Sequence, residues 1–269
     1  MTKKERLDKI LTDLGYFETK SRAQAAIMTG DVKINGETVT KAGFQLEIND
    51  KTQIEIKTMP FVSRGGFKLN KAVKEFNIPL KDRICIDAGA STGGFTDCML
   101  QNGVKKVYAV DVGYGQLAWK LRQDERVKVI ERTNIKNCAI EDVYADNEQK
   151  ADLAVMDLSF ISLKKVLENI AKLLCDDYEM MALIKPQFEA GREQIGKNGV
   201  VRDKNVHFEI ISDIIEFVHG MGMYVKNLSY SPIKGPKGNI EYLIYISTQK
   251  QDENFDVKQI IEDAFSFAS

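Results

Sequence analysis

The chain has 269 residues, with 38 Lys and Arg against 39 Asp and Glu, a net charge of -1 and 43% hydrophobic residues. This balance excludes a disordered or fibrous chain. At about 100–200 residues per domain, the length predicts one large domain or a mid-sized domain with a small companion. The apolar runs stop short of the roughly 20 residues of a membrane helix, and no apolar segment follows the basic start MTKKERLDKI. We therefore expect a cytoplasmic protein that is neither secreted nor inserted in a membrane.

The cysteines and histidines do not have the spacing of a metal site. The four cysteines form no CxxC pair, and three of them lie in apolar segments, as buried thiols in a reducing compartment do. The two histidines, His207 and His219, have no acidic partner at ligand spacing. The sequence therefore predicts no metal ion.

The first part of the chain predicts two short helices followed by strands. Apolar residues recur at helical spacing over residues 7–14, and Ser21 is placed to cap a second helix over residues 22–28. The Asn35-Gly36 pair in VKINGETV then favours a hairpin with a type I′ turn. A further strand is expected in TQIEI.

This order of elements resembles the S4 RNA-binding domain. The matching segments are RLDKIL, SRAQAAIMTGDVKINGETV and NDKTQIEI, all within residues 1–57. A generic oligomerisation module fits the composition of this segment as an alternative. The S4 resemblance implies RNA contacts by basic residues of this module and of the junction that follows it: Arg6, Lys20, Arg22, Lys33 and Arg64.

From residue 84 onward, short apolar runs typical of strands alternate with helical patterns. The strand-like runs are RICIDAGA, KVYAVDVG, VKVIER, ADLAVMDLSF, EMMALIKP, YVKNLSYSPI and IEYLIYIST. Such alternation predicts a parallel, doubly wound α/β sheet, and the short link KGPKGN predicts a final hairpin with an antiparallel last strand. A mostly parallel seven-stranded sheet with one antiparallel strand resembles the Rossmann-like class I methyltransferases.

The junction between the two parts is basic. From Lys57 to Lys81, six basic residues stand against one acidic residue, which indicates either a solvated helix face or a surface for a polyanion. We expect the Gly65-Gly66 pair to act as a hinge that lets Lys68 swing into the site when RNA docks. The predicted organisation is an S4-like domain at 1–57, a linker at 58–66, a methyltransferase-like domain at 67–248 and a polar tail with a short helix at 249–269.

A glycine-rich turn, DAGASTGGF, follows the first of the strand-like runs and opens a helix. Its glycines let the backbone turn sharply and approach a ligand, but the spacing is neither that of a P-loop nor GxGxxG. Asp87 at the strand end can orient the turn or hold an ammonium group, and Asp111, 24 residues later, is placed to accept hydrogen bonds from a ribose diol. These features predict an S-adenosylmethionine site; a structural turn without a ligand is the alternative. We expect the donor to approach closely at Gly93, so that Gly93→Val would block binding.

Four charged residues, scattered in sequence, form a second candidate set: Lys68 in SRGGFKL, Asp157 in MDLSF, Lys185 in LIKPQFE and Glu241 in NIEYL. Asp157 and Lys185 end successive predicted strands, at the sheet edge where ligands bind. Because a lysine in an apolar strand is costly unless it is paired, the two carboxylates make sense as its partners. A set of structural ion pairs is the alternative interpretation.

This set resembles the Lys-Asp-Lys-Glu tetrad of FtsJ-type RNA ribose 2′-O-methyltransferases. With the S4-like module in front, the whole chain resembles the TlyA (hemolysin A) family, which methylates cytidine ribose in ribosomal RNA. The resemblance implies ribosomal RNA or a ribosomal subunit as partner, S-adenosylmethionine as donor, no metal, and Lys68, Asp157, Lys185 and Glu241 as catalytic residues. It implies a donor site formed by Asp87, Gly89, Ala90, Ser91, Thr92, Gly93, Gly94, Phe95, Asp111, Asn134 and Asp157. Asn134 is equally well placed to be a cap or turn residue.

The chemistry of a ribose hydroxyl suggests roles for the tetrad. We expect Lys185 to accept the hydroxyl proton, with Lys68 as an electrostatic aid and the carboxylates as orienting groups, although the two lysines could exchange roles. Base N-methylation is disfavoured, because Asp157 is followed by Leu-Ser-Phe rather than Pro-Pro-aromatic. The alternative function is an RNA-binding or membrane-active, hemolysin-like protein that uses the fold without catalysis.

Overall fold

A computed structural model describes residues 4–14, 16–17, 19–48, 52–57, 60–250 and 255–268. The chain divides into two compact units, Met1–Pro60 and Phe61–Ser269. Residues 65 and 66, which the sequence placed in a linker, begin a helix of the second unit.

The first unit packs two helices against short strands. β1 pairs with β4, and β3-β2-β5 form an antiparallel sheet. Asn35 and Gly36 have φ values of 52° and 83°, as the predicted type I′ turn requires, which confirms the hairpin. The elements are β1 (Glu5–Arg6), α1 (Leu7–Asp13), α2 (Lys20–Met28), β2 (Val32–Ile34), β3 (Glu37–Thr38), β4 (Gln45–Leu46) and β5 (Ile54–Ile56).

Helix α2 begins earlier than the sequence predicted, and Ser21 does not cap it. Thr19 has an extended backbone, and its hydroxyl accepts a hydrogen bond from the Arg22 amide at 3.3 Å. Ser21 lies inside the helix, where its side chain cannot satisfy the first free amides. The prediction of a Ser21 cap is therefore wrong by half a turn.

A buried carboxylate joins the two helices of the first unit. Asp8 is fully buried; it accepts hydrogen bonds from Arg6 Nη2 at 2.6 Å and from Gln24 Nε2 at 2.7 Å. The hydrogen bonds from Arg6, opposed by burial and aided by Gln24, lower the pKa of Asp8 to about 2. Arg6, proposed from the sequence to bind RNA, therefore also neutralises a buried charge.

The second unit is built on a seven-stranded sheet of order β11-β12-β10-β9-β6-β7-β8. Only β12 runs antiparallel to its neighbours within this sheet, which confirms the predicted topology. The strands are β6 (Ile84–Ala88), β7 (Lys106–Val110), β8 (Val127–Ile130), β9 (Ala151–Met156), β10 (Leu174–Ile184), β11 (Tyr224–Tyr230) and β12 (Tyr242–Ser247). The helices are α3 (Gly65–Glu75), α4 (Gly94–Gln101), α5 (Trp119–Arg122), α6 (Ile140–Val143), α7 (Leu167–Leu173), α8 (Pro186–Glu189), α9 (Lys204–Gly220) and α10 (Val257–Ala268).

Apolar side chains cover both faces of the sheet. Consecutive strand residues such as Cys85 and Ile86 belong to different apolar clusters, because side chains alternate across a strand. The strand order reverses between β6 and β9, since β6 leads through β7 to β8 on one side and β9 leads to β10 on the other. The crevice at the carboxyl ends of β6 and β9 is the switch point where open α/β sheets bind ligands.

The Gly65-Gly66 pair is not a hinge. Both glycines lie in the first turn of α3, and a Cβ on Gly66 would lie 2.3 Å from Cγ of the buried Phe61. A Cβ on Gly94, at the start of α4, would lie 2.8 Å from the Gly66 nitrogen. These glycines allow α3 and α4 to pack closely, so Lys68 is held on a packed helix and the expected swing is wrong.

Replacing Gly66 should therefore cost stability. We expect Gly66→Ala to lower the free energy of unfolding of the second unit by about 1–3 kcal/mol, as overpacking of a core does. The matched control is Gly65→Ala, whose Cβ would have its nearest contact at 3.4 Å and should be tolerated. Urea denaturation of both variants checks this, and equal stabilities would contradict it.

Because the pKa of Asp8 is low, we expect its contribution to stability to depend on pH. The folded-state value of about 2 lies below the unfolded value, so the stabilisation by Asp8 is present at neutral pH and is lost as the pH falls toward 2. Asp8→Asn should lower the hydrogen-exchange protection of α1 and α2 about tenfold at neutral pH. This difference between the variant and the wild type should disappear as the pH falls toward 2. The exposed Glu37→Gln is the control; a gap that does not change with pH would argue against the ion pair.

Candidate active site at the switch point of the sheet

Lys68, Asp157, Lys185 and Glu241 form one continuous row of ion pairs. The Asp157 carboxylate lies between the two lysines, with Lys68 Nζ 3.0 Å from Oδ2 and Lys185 Nζ 2.6 Å from Oδ1. Lys68 Nζ also lies 2.7 Å from Glu241 Oε2. The row is therefore Lys185, Asp157, Lys68, Glu241, with alternating charge.

Strand ends bring these residues together. Asp157 follows β9, and Lys185 follows β10, where Pro186 begins α8. Glu241 precedes the antiparallel β12, in which Tyr242 is the register partner of Ile184. An antiparallel strand begins where its parallel neighbours end, so Glu241 reaches the same edge of the sheet as Lys185.

The row is nearly buried and electrically balanced. The side chains of Lys68, Lys185 and Glu241 are 9%, 8% and 2% exposed. Burial by itself lowers the pKa of Lys68, but Asp157 and Glu241 outweigh it, and the net pKa is raised. Burial raises the pKa of Asp157, but Lys68 and Lys185 outweigh it, and the net pKa is lowered. Lys68 is therefore held as an ammonium group between two carboxylates, whereas Lys185 contacts one carboxylate and the Ser159 hydroxyl at 3.2 Å.

A cavity of about 410 Å³ opens at the carboxyl ends of β6 to β9. Of the predicted donor-site residues, Gly89, Ser91, Asp111, Asn134 and Asp157 line it. The sequence did not indicate the other lining residues, although they lie in the loops that follow β7, β8 and β9, where ligands of such sheets bind: Val112, Gln116, Thr133, Ile135, Leu158, Ser159, Phe160 and Ile161.

The glycines of the turn have different tasks. Gly89 has φ +85°, and a Cβ there would lie 3.0 Å from the Asp157 carbonyl oxygen at the cavity wall. Gly93 has φ +93°, but its Cβ would lie 2.2 Å from Leu121 Cδ1 and 2.8 Å from Leu117 Cδ1. Gly93 therefore faces apolar side chains near α5 and not the cavity. A valine at this position would overlap Leu117 and Leu121, so Gly93→Val would disturb the packing of the fold; a donor contact at Gly93 stays a prediction.

Asp87, at the end of β6, holds the glycine-rich turn through hydrogen bonds to Thr96. It is fully buried, and its Oδ2 accepts hydrogen bonds from the Thr96 amide at 2.9 Å and from the Thr96 hydroxyl at 2.6 Å. Burial raises the pKa of Asp87 to about 7, although the Thr96 hydrogen bonds oppose the rise. Ala90 is also buried, and its carbonyl accepts the Gly93 amide at 2.7 Å. These contacts fix the start of α4.

Asp111 and Asn134 also line the first cavity. Asp111 Oδ2 accepts the Ser91 amide and Oδ1 accepts the Gly113 amide, both at 2.7 Å, so this carboxylate ties two turns at the cavity edge. Asn134 Oδ1 accepts the Lys136 amide at 3.1 Å and caps a short 3₁₀ turn. Asn134 is therefore both a cap and a lining residue.

A second cavity of about 260 Å³ adjoins the first. Its lining includes Lys68 and the predicted turn residues Thr92, Gly94 and Phe95. The two cavities share Gly89, Ser91 and Asp157. Asp157 therefore lies in the wall that the two cavities share. A group bound in one cavity can react there with a group bound in the other, next to the ion-pair row.

The basic residues that the sequence assigned to RNA are split between the units. In the first unit, Lys20, Arg22 and Lys33 are exposed. In the second, Arg64 is exposed and lines the second cavity. Within the described ranges, no cluster of three or more His, Cys, Asp or Glu could hold a metal ion. Nor does the described part of the chain contain a helix long and apolar enough to cross a membrane.

Comparison with known proteins agrees with both parts of the chain. Residues 61–248 match the model of the FtsJ-like methyltransferase family, and residues 5–51 match the S4 domain. The chain is 38% identical to the 16S/23S rRNA (cytidine-2′-O)-methyltransferase TlyA of Mycobacterium tuberculosis, over 93% of this chain and 92% of that protein. It is 43% identical to Hemolysin A of Brachyspira hyodysenteriae, over 89% and 98%.

A solved structure from Streptococcus thermophilus, described as a candidate hemolysin, is similar along the whole chain. It has a TM-score of 0.76 and 43% identity, and the match covers 99% of this chain and 98% of that one. The family model spans the sheet, both cavities and all four residues of the ion-pair row. The chain therefore belongs to the FtsJ-like methyltransferase family, in the TlyA branch that carries an S4 domain ahead of the methyltransferase domain.

Proposed function

We propose that this protein transfers a methyl group from S-adenosylmethionine to the 2′-hydroxyl of a cytidine ribose in ribosomal RNA. The observation that carries the proposal is the position of Asp157, which pairs with both lysines and lines both cavities. The name of the tuberculosis relative, a 16S/23S rRNA (cytidine-2′-O)-methyltransferase, supports the choice of substrate.

The first cavity suits the donor. The Asp111 carboxylate can accept hydrogen bonds from a ribose diol. Gly89 lets the turn lie close to the Asp157 carbonyl at the wall of this cavity, where a Cβ would meet that carbonyl oxygen. Ile135 and Ile161 offer an apolar wall for a base. When bound, the donor supplies an activated methyl group; the protein supplies alignment and proton removal.

The second cavity suits the acceptor, and Lys68 and Asp157 line it. Lys185, the base in this proposal, is not among the lining residues and adjoins the cavity through Asp157, whose Oδ1 lies 2.6 Å from Lys185 Nζ. Lys68 stays charged between Asp157 and Glu241, so it acts as a fixed cation beside the acceptor. Lys185 Nζ would then take the proton that the 2′-hydroxyl loses during methyl transfer, with S-adenosylhomocysteine as the other product. Asp157 keeps the two amines in place and retains its own charge.

Surface features support an RNA substrate. The Phe160 ring is 90% exposed at the edge of the first cavity, in a left-handed backbone conformation with φ 64°. An exposed ring next to the site can stack on an unpaired base, as RNA-binding proteins do. The exposed Lys20, Arg22 and Lys33 of the S4 unit carry the positive charge that backbone phosphates bind.

The direct test is to map ribose methylation in ribosomal RNA from cells with and without this protein. We expect one or more 2′-O-methylcytidines to depend on it and to be restored by the purified protein with S-adenosylmethionine. Ribosomal RNA whose ribose methylation is unchanged by the protein would reject the proposed function.

The two lysines should respond differently to substitution. Lys185→Met should lower the single-turnover methylation rate by about 10²–10⁴-fold with little change in donor affinity, because it removes the base. Lys68→Arg keeps the cation and should retain far more activity than Lys185→Arg, because arginine does not serve as a base at neutral pH. Lys164→Met, which removes a lysine that pairs with Asp213, is the control. Equal losses in the two arginine variants would contradict this division of roles.

Donor binding should depend on the Asp111 charge. Asp111→Asn removes the charge that would contact a ribose diol and keeps an acceptor oxygen for only one of the two turn amides. It should reduce S-adenosylmethionine affinity about 10- to 100-fold in calorimetry. Asp124→Asn, which removes a carboxylate paired with Arg126, is the control. Unchanged affinity of Asp111→Asn would place the donor ribose elsewhere.

A further inference from the structure

Two turns of the second unit carry positive charge without any acidic residue. Residues 196–202 (GKNGVVR) and residues 233–239 (IKGPKGN) contain no Asp or Glu, in a chain whose net charge is -1. We call these two turns the basic lip. Its four cations are all exposed: Lys197, Arg202, Lys234 and Lys237.

A single buried side chain joins the two turns. Asn239 is 4% exposed, its Nδ2 donates to the Gly199 carbonyl at 3.0 Å, and its Oδ1 accepts the Val201 amide at 3.3 Å. Its own carbonyl accepts the Gly235 amide at 2.9 Å. The lip is therefore a preformed surface rather than two independent loops.

The lip begins at the wall of the second cavity and extends away from it. Lys234, Gly235 and Pro236 line that cavity together with Lys68. Farther along the same turn, Lys237 Nζ lies 3.7 Å from where a Cβ on Gly199 would be. A strand whose ribose occupies the second cavity would therefore continue across the lip.

We propose that the basic lip binds the phosphodiester backbone of the RNA strand next to the methylated nucleotide. The inference rests on the function proposed above and adds a site for which the family match gives no role. Phosphate contacts supply most of the affinity of nucleic-acid binding, and exposed lysines on glycine-rich turns let a backbone come close. The lip thus aligns the acceptor strand, and the tetrad carries out the chemistry.

The test compares two double variants of the full chain. Lys197→Ala/Lys237→Ala removes two cations from the lip, and Lys105→Ala/Lys172→Ala removes two exposed lysines near the amino ends of β7 and β10, at the opposite edge of the sheet. We expect the lip variant to raise the KM for ribosomal RNA about tenfold and to reduce the slope of log K against log salt by about 1.5. Its donor affinity and its kcat at saturating RNA should remain those of the wild type.

The control variant should keep the wild-type KM and salt slope, and Lys197→Arg/Lys237→Arg should restore the lip because it retains both charges. Direct binding of a ribosomal RNA fragment, measured alongside methylation, separates this inference from the proposed function. If the wild type does not methylate ribose, the proposed function fails. If the lip variant and the control variant bind and methylate RNA equally well, the lip inference is overturned. The basic lip would then be assigned to an acidic protein surface instead of RNA.

Discussion

The site depends on one half-buried carboxylate that is shared by two lysines. Asp157 is held at the switch point of the sheet with Lys68 on one oxygen and Lys185 on the other. The two lysines are buried, and a buried charge without a partner is strongly destabilising, so this arrangement requires that the start of α3 and the ends of β9 and β10 meet at one place. Glu241 completes the balance by pairing with Lys68. The ion-pair row therefore fixes where these elements meet and also supplies the charged groups of the site.

The same carboxylate divides the site into two sides. One cavity lies over the ends of β6 to β9 and the other beside α3, and they meet at Gly89, Ser91 and Asp157. Transfer between two bound groups needs them to be close and aligned, and cavities with shared lining residues meet that need. The unequal contacts of the two lysines then give them different tasks, since Lys68 touches two carboxylates and Lys185 touches one.

Glycine serves packing as often as ligand access in this protein. Gly89 and Gly93 belong to one turn and both have positive φ, yet the missing side chain leaves room for the cavity wall at Gly89 and for leucines at Gly93. The missing side chain of Gly66 likewise leaves room for the Phe61 ring. A glycine-rich sequence predicts a sharp turn, but the neighbours decide what occupies the space that each missing side chain leaves.

The sequence by itself determined the order of elements, the antiparallel position of β12, the Asn35-Gly36 hairpin and the resemblance to S4 and FtsJ-like domains. These features depend on local periodicity, turn chemistry and motif order, which are carried by neighbouring residues. It also named all four members of the ion-pair row. Asp157 and Lys185 stand out as charges at the ends of apolar strands, whereas Lys68 and Glu241 were named through the resemblance to the tetrad. Only the tertiary structure decided which atoms pair and which glycine faces which cavity. It also showed that Gly65-Gly66 is a packed helix start and that Asn239 joins two distant basic turns. Contacts between residues far apart in the chain depend on how elements pack, and packing is not encoded at any one position.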